Sequence, residues 1–311
     1  MYQSRKNKIS IKKIAKFLKI NYTGKDFYIE SVSSLNNIKS NSILFYSYVE
    51  NVKFKITNNI QYDLKKLEKF ENIALITNTK IRKKINTPIL FSNHPRLDFY
   101  RVVMKFFSNN EFKSGIHKTA VVEKNSIIGK GVYVGPHCYV GNDVKIGNNT
   151  KILHNTCIYG KTEIGANSII KSNTTIGGDG FGFIYTGDEL FHLPHIGSIV
   201  IGDNVWIGSN STVEKSHIDQ TIIEDHVKID DLVQIGHNTI IKKFTQITAG
   251  CIIAGRTKIG KGCWISPNSV IDLGSEIGDN CIVGTSSLVR SNFPKNSVII
   301  GSPAKLLRKN V

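Results

Sequence analysis

Between Ile223 and Val289 every sixth residue is a branched aliphatic: Ile223, Ile229, Ile235, Ile241, Ile247, Ile253, Ile259, Ile265, Ile271, Ile277, Val283 and Val289. A helix repeats its buried face every 3.6 residues and a strand every 2, so neither generates a strict period of six. A short fixed period marks a solenoid, in which each rung covers its apolar residue only by stacking on its neighbours. Three hexads make one triangular coil of about 18 residues, with coils separated by the strand spacing of about 4.8 Å. Burying each aliphatic contributes about 1.5–3 kcal/mol, so the ladder itself can hold such a fold.

The same period runs earlier in the chain, through Ile116, Val122, Ile128, Val134, Val140, Ile146, Ile152, Ile158, Ile164, Ile170 and Ile176. Glycine often follows the aliphatic, as at Gly129, Gly135, Gly141, Gly147, Gly165 and Gly177, and is expected there to supply tight turns at positive φ. After Ile176 the register breaks. Gly177-Gly-Asp-Gly-Phe-Gly-Phe183 opens a loop over 178–198, and the repeat resumes at Ile201, Ile207 and Val213. A smaller break runs from Glu214 to Thr221. An uninterrupted solenoid has no need of loops, and Phe181, Phe183, Tyr185 and Phe191 concentrate in the longer one. Exposed aromatics in a loop point to something they touch.

Residues 1–114 lack the hexad and read as a small α/β domain. Ile9 to Leu18 has the spacing of a short amphipathic helix, as does Asp98 to Phe107. The apolar runs Ser42–Phe45, Ile73–Ile76 and Pro88–Phe91 between Asn- and Lys-rich turns read as strands. The solenoid is expected over 115–292, and a tail over 293–311 that closes its last coil. The fold class is therefore mainly β, a parallel β-helix with a small N-terminal α/β domain.

The formal charge of +17 suggests an anionic partner. The lysines are scattered over solvent-facing repeat positions and form no stripe interleaved with aromatics, so no nucleic-acid partner is expected. There is no run of eighteen apolar residues for a membrane span and no apolar leader after the basic N-terminus, which predicts a cytoplasmic protein. The five cysteines, at 138, 157, 251, 263 and 281, lack metal-ligand spacing and fit buried reduced thiols.

Chemistry is expected at His237, in the hexad Ile235-Gly-His-Asn-Thr-Ile240. Gly255 follows by 255 − 237 = 18 residues, one full coil, and so lies over His237 on the same face. An imidazole, with its usual pKa of about 6.5, suits proton acceptance near neutral pH. A bare backbone N–H suits an oxyanion. His154, in the similar hexad Ile152-Leu-His-Asn-Thr-Cys157, competes for the same role, and a solvated turn residue is the plainer account of either. Asp230, Asp231 or Asp219 could orient the His237 ring.

The hexads, the Gly177–Phe183 loop and Gln234-Ile-Gly-His-Asn238 together resemble the LpxD family of acyltransferases. So do Ile9-Ser-Ile-Lys-Lys-Ile-Ala-Lys-Phe-Leu18 and Ser31-Val-Ser-Ser-Leu35. The resemblance implies a left-handed β-helix, a homotrimer, and N-acylation of a nucleotide-linked amino sugar without a bound cofactor or metal. It places catalysis on His237 and Gly255. Substrate contacts are expected from Phe45 against a base, and from Asp179, Phe181, Phe183, His195, Gln234 and Asn238, with a structural role for His195 as an alternative. A single coil of this width has no deep pocket, which also favours a site between subunits.

The sequence departs from the family in three places. Phe45 is followed by Tyr48 and Asn51, where the family carries Asn and then Tyr; Gly274-Ser275 lacks the family's second histidine; and a helical C-terminal arm has no counterpart. Instead, Gly301-Ser-Pro-Ala-Lys305 resembles the tail of coenzyme A-dependent hexapeptide acetyltransferases. The first expectation is therefore transfer of a short acyl group, acetyl, from acyl-CoA for cell-surface polysaccharide synthesis. The alternative is the lipid A enzyme itself, N-acylating a UDP-linked 3-O-(3-hydroxyacyl)glucosamine from acyl carrier protein. A non-catalytic scaffold, or a zinc hydratase of the γ-carbonic anhydrase type, is more remote; sequence spacing assembles no three-histidine set for the latter.

Overall fold

A computed structural model describes residues 8–46, 64–78, 87–108 and 112–310. The chain divides into two compact units, Met1–Glu111 and Phe112–Val311.

In the first unit the helix Ile11–Leu18 begins where Ser10 accepts the Lys13 N–H in its side-chain oxygen, which satisfies one of the orphan donors of the first turn. Its face of Ile11, Ile14 and Ala15 is buried. Five strands form one sheet in the order Tyr22–Thr23, Ile89–Phe91, Ile73–Thr77, Ser42–Tyr46, Ser31–Val32. The central strand, Ile73–Thr77, is buried along its whole length, as expected for a parallel strand covered on both faces. Pro95 opens the second helix, Pro95–Val102, which runs on as a π-helical turn over Val103–Phe107. Proline is accommodated at that first position because its missing N–H has no partner there anyway. Phe45 packs its ring on Phe99 at 5.0 Å and lies 6.2 Å from Tyr100. Tyr48 and Asn51 lie outside the described residues.

The second unit is a left-handed parallel β-helix. Its three sheets have 8, 11 and 9 strands, most of two residues. Pairing follows the 18-residue offset, as in Ile128 against Ile146 and Ile146 against Ile164. The hexad aliphatics from Val134 to Val289 line one continuous core. Small polar residues beside them also point inward and donate to main-chain carbonyls fifteen residues ahead: Thr150 to Gly165, Thr245 to Gly260, Cys251 to Ser266 and Cys263 to Gly278. Cysteine replaces threonine or serine in this ladder because the thiol makes the same bond in the same volume. All five cysteines are free.

The glycines that follow the aliphatics do a different job from the one their position suggests. Of Gly129, Gly135, Gly141, Gly147, Gly165 and Gly177, only Gly177 has a positive φ. The others sit where the next coil comes too close for a side chain: a Cβ on Gly147 would lie 2.6 Å from the Ala166 nitrogen, and one on Gly208 only 2.2 Å from the Asp230 carbonyl carbon. The left-handed residue falls two positions later, most often on asparagine, as at Asn149, Asn155, Asn167 and Asn173. Asparagine tolerates this conformation better than other side chains.

Two insertions interrupt the offset. Ile176 pairs with Val213, 37 residues on, and Val213 with Ile235, 22 residues on; subtracting 18 leaves insertions of 19 and 4 residues. Both leave the same sheet at the same corner, after Thr175–Gly178 and after Thr212–Glu214. The longer carries the antiparallel hairpin Phe183–Tyr185 with Leu190–His192. The tail remains part of the ladder: Ser297–Gly301 pairs in parallel with Ile282–Val283, and Ala304–Lys309 folds back antiparallel upon it. No helix among the described residues is long and apolar enough to cross a membrane.

Lys171 and Asp231 tie coils together across 60 residues, with Nζ 2.6 Å from Oδ1. The Lys171 ammonium holds the Asp231 carboxyl below the usual aspartate range, helped by the Ser209 N–H. A depressed folded-state pKa contributes stability above the unfolded value of about 3.9 and loses it as pH falls through the folded value. Lys171→Met is therefore expected to lower stability at pH 7 by under about 1 kcal/mol, since the pair is partly solvated. Thermal melts should show the two proteins converging as pH falls below about 4; a difference that persists in acid would assign the effect to packing.

A candidate active site at one corner of four coils

Four successive coils bring their chemistry to a single corner. Thr175–Gly178, Thr212–Glu214, Gln234–Ile235 and Ile252–Ile253 are consecutive strands of one sheet. What leaves the ends of these strands stacks in the same order: the loop with His195, the shorter insertion with His217, then His237, then Gly255. The His195 and His217 rings stack with centroids 3.8 Å apart. His237 meets His217 edge-on at 4.3 Å and His195 at 5.5 Å.

The His237 imidazole lies over Gly255. A Cβ on Gly255 would fall 2.6 Å from His237 Nε2, so only glycine leaves room for the ring. The main chains are locked together beside it, with the Arg256 N–H donating to the His237 carbonyl at 2.7 Å. Gly255 is buried, and among the described residues its own N–H has no acceptor. An N–H without a protein acceptor is available to an incoming oxygen.

The ring is oriented by Asn238, whose Oδ1 lies 3.0 Å from His237 Nδ1. That same oxygen accepts the His217 main-chain N–H at 3.2 Å, so it is the carbonyl end of the amide, and Nδ1 of His237 carries the proton. The Nε2 lone pair therefore faces Gly255. From the other side, Glu214 accepts the His237 main-chain N–H at 3.1 Å and the Gln234 Nε2 at 3.2 Å. The aspartates one hexad upstream take no part in this. Asp231 is committed to Lys171 and the Ser209 N–H, and Asp230 accepts the Asp231 N–H. A third of a coil separates a hexad from the next, which puts those carboxylates on another wall.

The remaining expected residues divide by location. Phe181 is 87% exposed, and Phe183, also exposed, packs edge-on to it at 5.1 Å. Asp179 pairs with Lys215 at 2.9 Å. Its partial burial works to raise its pKa, and the Lys215 ammonium outweighs that and holds it below the usual range. His195 is only 3% exposed, with Nδ1 bonded to the Leu193 carbonyl and Nε2 buried without a hydrogen-bond partner. Burial, and then the neighbouring His217, push its pKa down, which keeps the ring neutral. Phe45 belongs to the first unit. His154 turns at a different corner, beside Tyr133 and Phe112. Glu214 and His217 are absent from the sequence-based set; the shorter break, Glu214 to Thr221, was the only signal of them.

Comparison with known proteins agrees with this architecture. The family model "Bacterial transferase hexapeptide (six repeats)" matches residues 143–178 and 256–291, and "Hexapeptide repeat of succinyl-transferase" matches 198–230. The chain is 43% identical over 86 residues to UDP-3-O-acylglucosamine N-acyltransferase 2 of Legionella pneumophila, a match covering 28% of this chain and 25% of the relative. It is 48% identical over 89 residues to UDP-3-O-acylglucosamine N-acyltransferase of Coxiella burnetii, covering 28% and 26%. The matched segment thus spans about a quarter of each relative's length. Among solved structures, LpxA from Acinetobacter baumannii is similar with a TM-score of 0.58 and 26% identity, over 63% of this chain and 74% of that one. UDP-N-acetylglucosamine O-acyltransferase (LpxA) from Moraxella catarrhalis gives 0.57 and 26% over the same shares. In its repeats and fold the chain is LpxD-like.

Proposed function

We propose that the chain is an N-acyltransferase that moves an acyl group from a thioester to the amine of a UDP-linked glucosamine bearing a 3-O-acyl chain. The observation that carries this is the pairing at the corner: the His237 Nε2 lies against Gly255, a buried glycine whose N–H has no acceptor among the described residues. Acyl transfer to an amine needs those two groups. His237 accepts a proton from the sugar amine as its nitrogen attacks the thioester carbonyl. The Gly255 N–H donates to the oxyanion of the tetrahedral intermediate. When the carbon–sulfur bond breaks, the imidazolium returns the proton to the departing thiolate, so the enzyme ends as it began. Asn238 keeps the tautomer, and Glu214 fixes the His237 backbone. Asp179, Phe181, Phe183 and Gln234 wall the acceptor.

The relatives' names favour the lipid A substrate over the short-chain reading. Acetyl transfer from acyl-CoA remains a second reading on one observation, the likeness of Gly301-Ser-Pro-Ala-Lys305 to the tails of coenzyme A-dependent acetyltransferases. A donor assay separates them. With UDP-3-O-acylglucosamine as acceptor, 3-hydroxyacyl carrier protein is expected to support turnover and acetyl-CoA is not; the reverse result replaces the first reading by the second. The exposed aromatics of the 178–198 loop fit an acceptor wall completed by neighbouring subunits in a homotrimer. Sedimentation of the active protein as a monomer would remove that part of the reading.

A further inference from the structure

We propose that His195, His217 and His237 form a binding site for a single divalent first-row transition ion, Zn²⁺ by preference, and that filling it blocks His237. The blocking clause rests on the acyltransferase reading; the binding clause does not.

The three rings come from three successive coils, 22 and 20 residues apart, only because the two insertions end at one corner. One ring nitrogen of each lies within 4.8 Å of those of the other two. Asn238 Oδ1, fixed as an acceptor by the His217 main-chain N–H, faces Nδ1 of both His237 and His217, at 3.0 and 3.4 Å. The Leu193 carbonyl faces Nδ1 of His195 at 3.0 Å. For His195 this puts the hydrogen on Nδ1 and leaves Nε2 as the open acceptor. That is the tautomer a metal ligand adopts when its other nitrogen is held by an oxygen acceptor.

His195 supplies the independent sign of a missing ligand. Its ring is 97% buried by the same measure that leaves 3% exposed, yet Nε2 has no hydrogen-bond partner among the described residues. An unpaired buried acceptor is costly, and a cation is a partner it can take. Space is kept around the lone pairs by glycine: a Cβ on Gly180 would lie 2.9 Å from His195 Nε2, and one on Gly182 2.9 Å from His217 Nε2. Tetrahedral zinc, with bonds of about 2.0–2.1 Å to nitrogen in the ring planes, sets its ligands roughly 3.4 Å apart, so loading requires the His195 and His217 rings, now stacked at 3.8 Å with 28° between their planes, to turn out of that stack. Three neutral imidazoles without a thiolate select Zn²⁺, Cu²⁺, Ni²⁺ or Co²⁺ over Mg²⁺ or Ca²⁺. The neighbouring set Asp179, His192 and His195 is the weaker one, because the Asp179 carboxylate is already paired with Lys215.

The test is a competition titration of the chelator-treated full chain with ZnCl₂ against a chromophoric chelator. One Zn²⁺ per chain is expected, with affinity about 100-fold weaker or worse in His217→Ala and in His195→Gln, since loss of even an outer-shell partner typically costs 10–100-fold. Equal affinity in wild type and in either folded variant overturns the site. Should both variants lose their thermal transition, Co²⁺ added to wild type decides. Intense visible absorption of a tetrahedral ion supports the site, and the weak spectrum of an octahedral one overturns it. In the acyl-transfer assay, one equivalent of Zn²⁺ should inhibit wild type reversibly on chelation, and should inhibit His217→Ala far less, each measured against its own metal-free rate. Transfer unaffected by bound Zn²⁺ overturns the block. Zn²⁺ binding in a protein with no transferase activity leaves the site standing and removes the acyltransferase reading instead.

Discussion

His237→Ala is expected to lower acyl transfer about 10²–10⁴-fold, the range that general-base catalysis contributes, while the melting temperature changes little. The two effects separate because the ring serves the site more than the core. The ladder is built from Ile235, Ile253 and their stacked equivalents, all fully buried, whereas His237 makes its side-chain contacts with Asn238, the two other histidines and Gly255. The decrease should fall on kcat rather than on KM, because the proton is taken only on the way to the transition state. A variant that transfers acyl groups at the parent rate would show that the base lies elsewhere, and His154 would be the next residue to test.

Gly255→Ala should be nearly as damaging to activity and far less so to the fold. The added methyl would stand 2.6 Å from Nε2 and 2.8 Å from Cε1 of His237. These are atoms at the tip of a side chain, so the ring swings aside and the coil stays. A displacement of about 1 Å at a catalytic group costs on the order of 10²-fold. Gly208→Ala is the matched control. There the methyl would meet the main chain of Asp230 at 2.2–2.3 Å, and a backbone inside a stacked coil cannot turn away. A loss of about 3 kcal/mol or more is expected. Denaturant melts alongside initial rates distinguish the pair. If Gly255→Ala melts like Gly208→Ala, the cleft above Gly255 is packing, and the oxyanion role loses its support.

The hexad period was enough to give the solenoid, its core residues and the 18-residue coil, because a strict spacing of apolar side chains has one structural solution. It also put Gly255 above His237 by subtraction alone. The same period misassigned the glycines. Spacing shows that a side chain is absent at Gly147 or Gly208, and it does not say whether the backbone bends there or a neighbour approaches. The coil contacts show the second, and the left-handed turn falls on asparagine instead. The aspartates at 230 and 231 were natural candidates to hold the imidazole because carboxylates do so often. Their place one hexad upstream turns them to another wall, and the adjacent Asn238 fills the role.

Sequence by itself thus determined the repeat and the position of its interruptions, since each follows from local spacing. Only the tertiary structure decided that both interruptions open at the corner where His237 stands. Insertions of 19 and 4 residues shift the register without saying where their side chains return. The stack of His195, His217 and His237, the Asn238 carbonyl beside the last two, and the N–H of Gly255 next to the His237 ring all depend on four coils being superposed. Contacts between residues twenty apart are made by stacking, and stacking is a property of the wound chain.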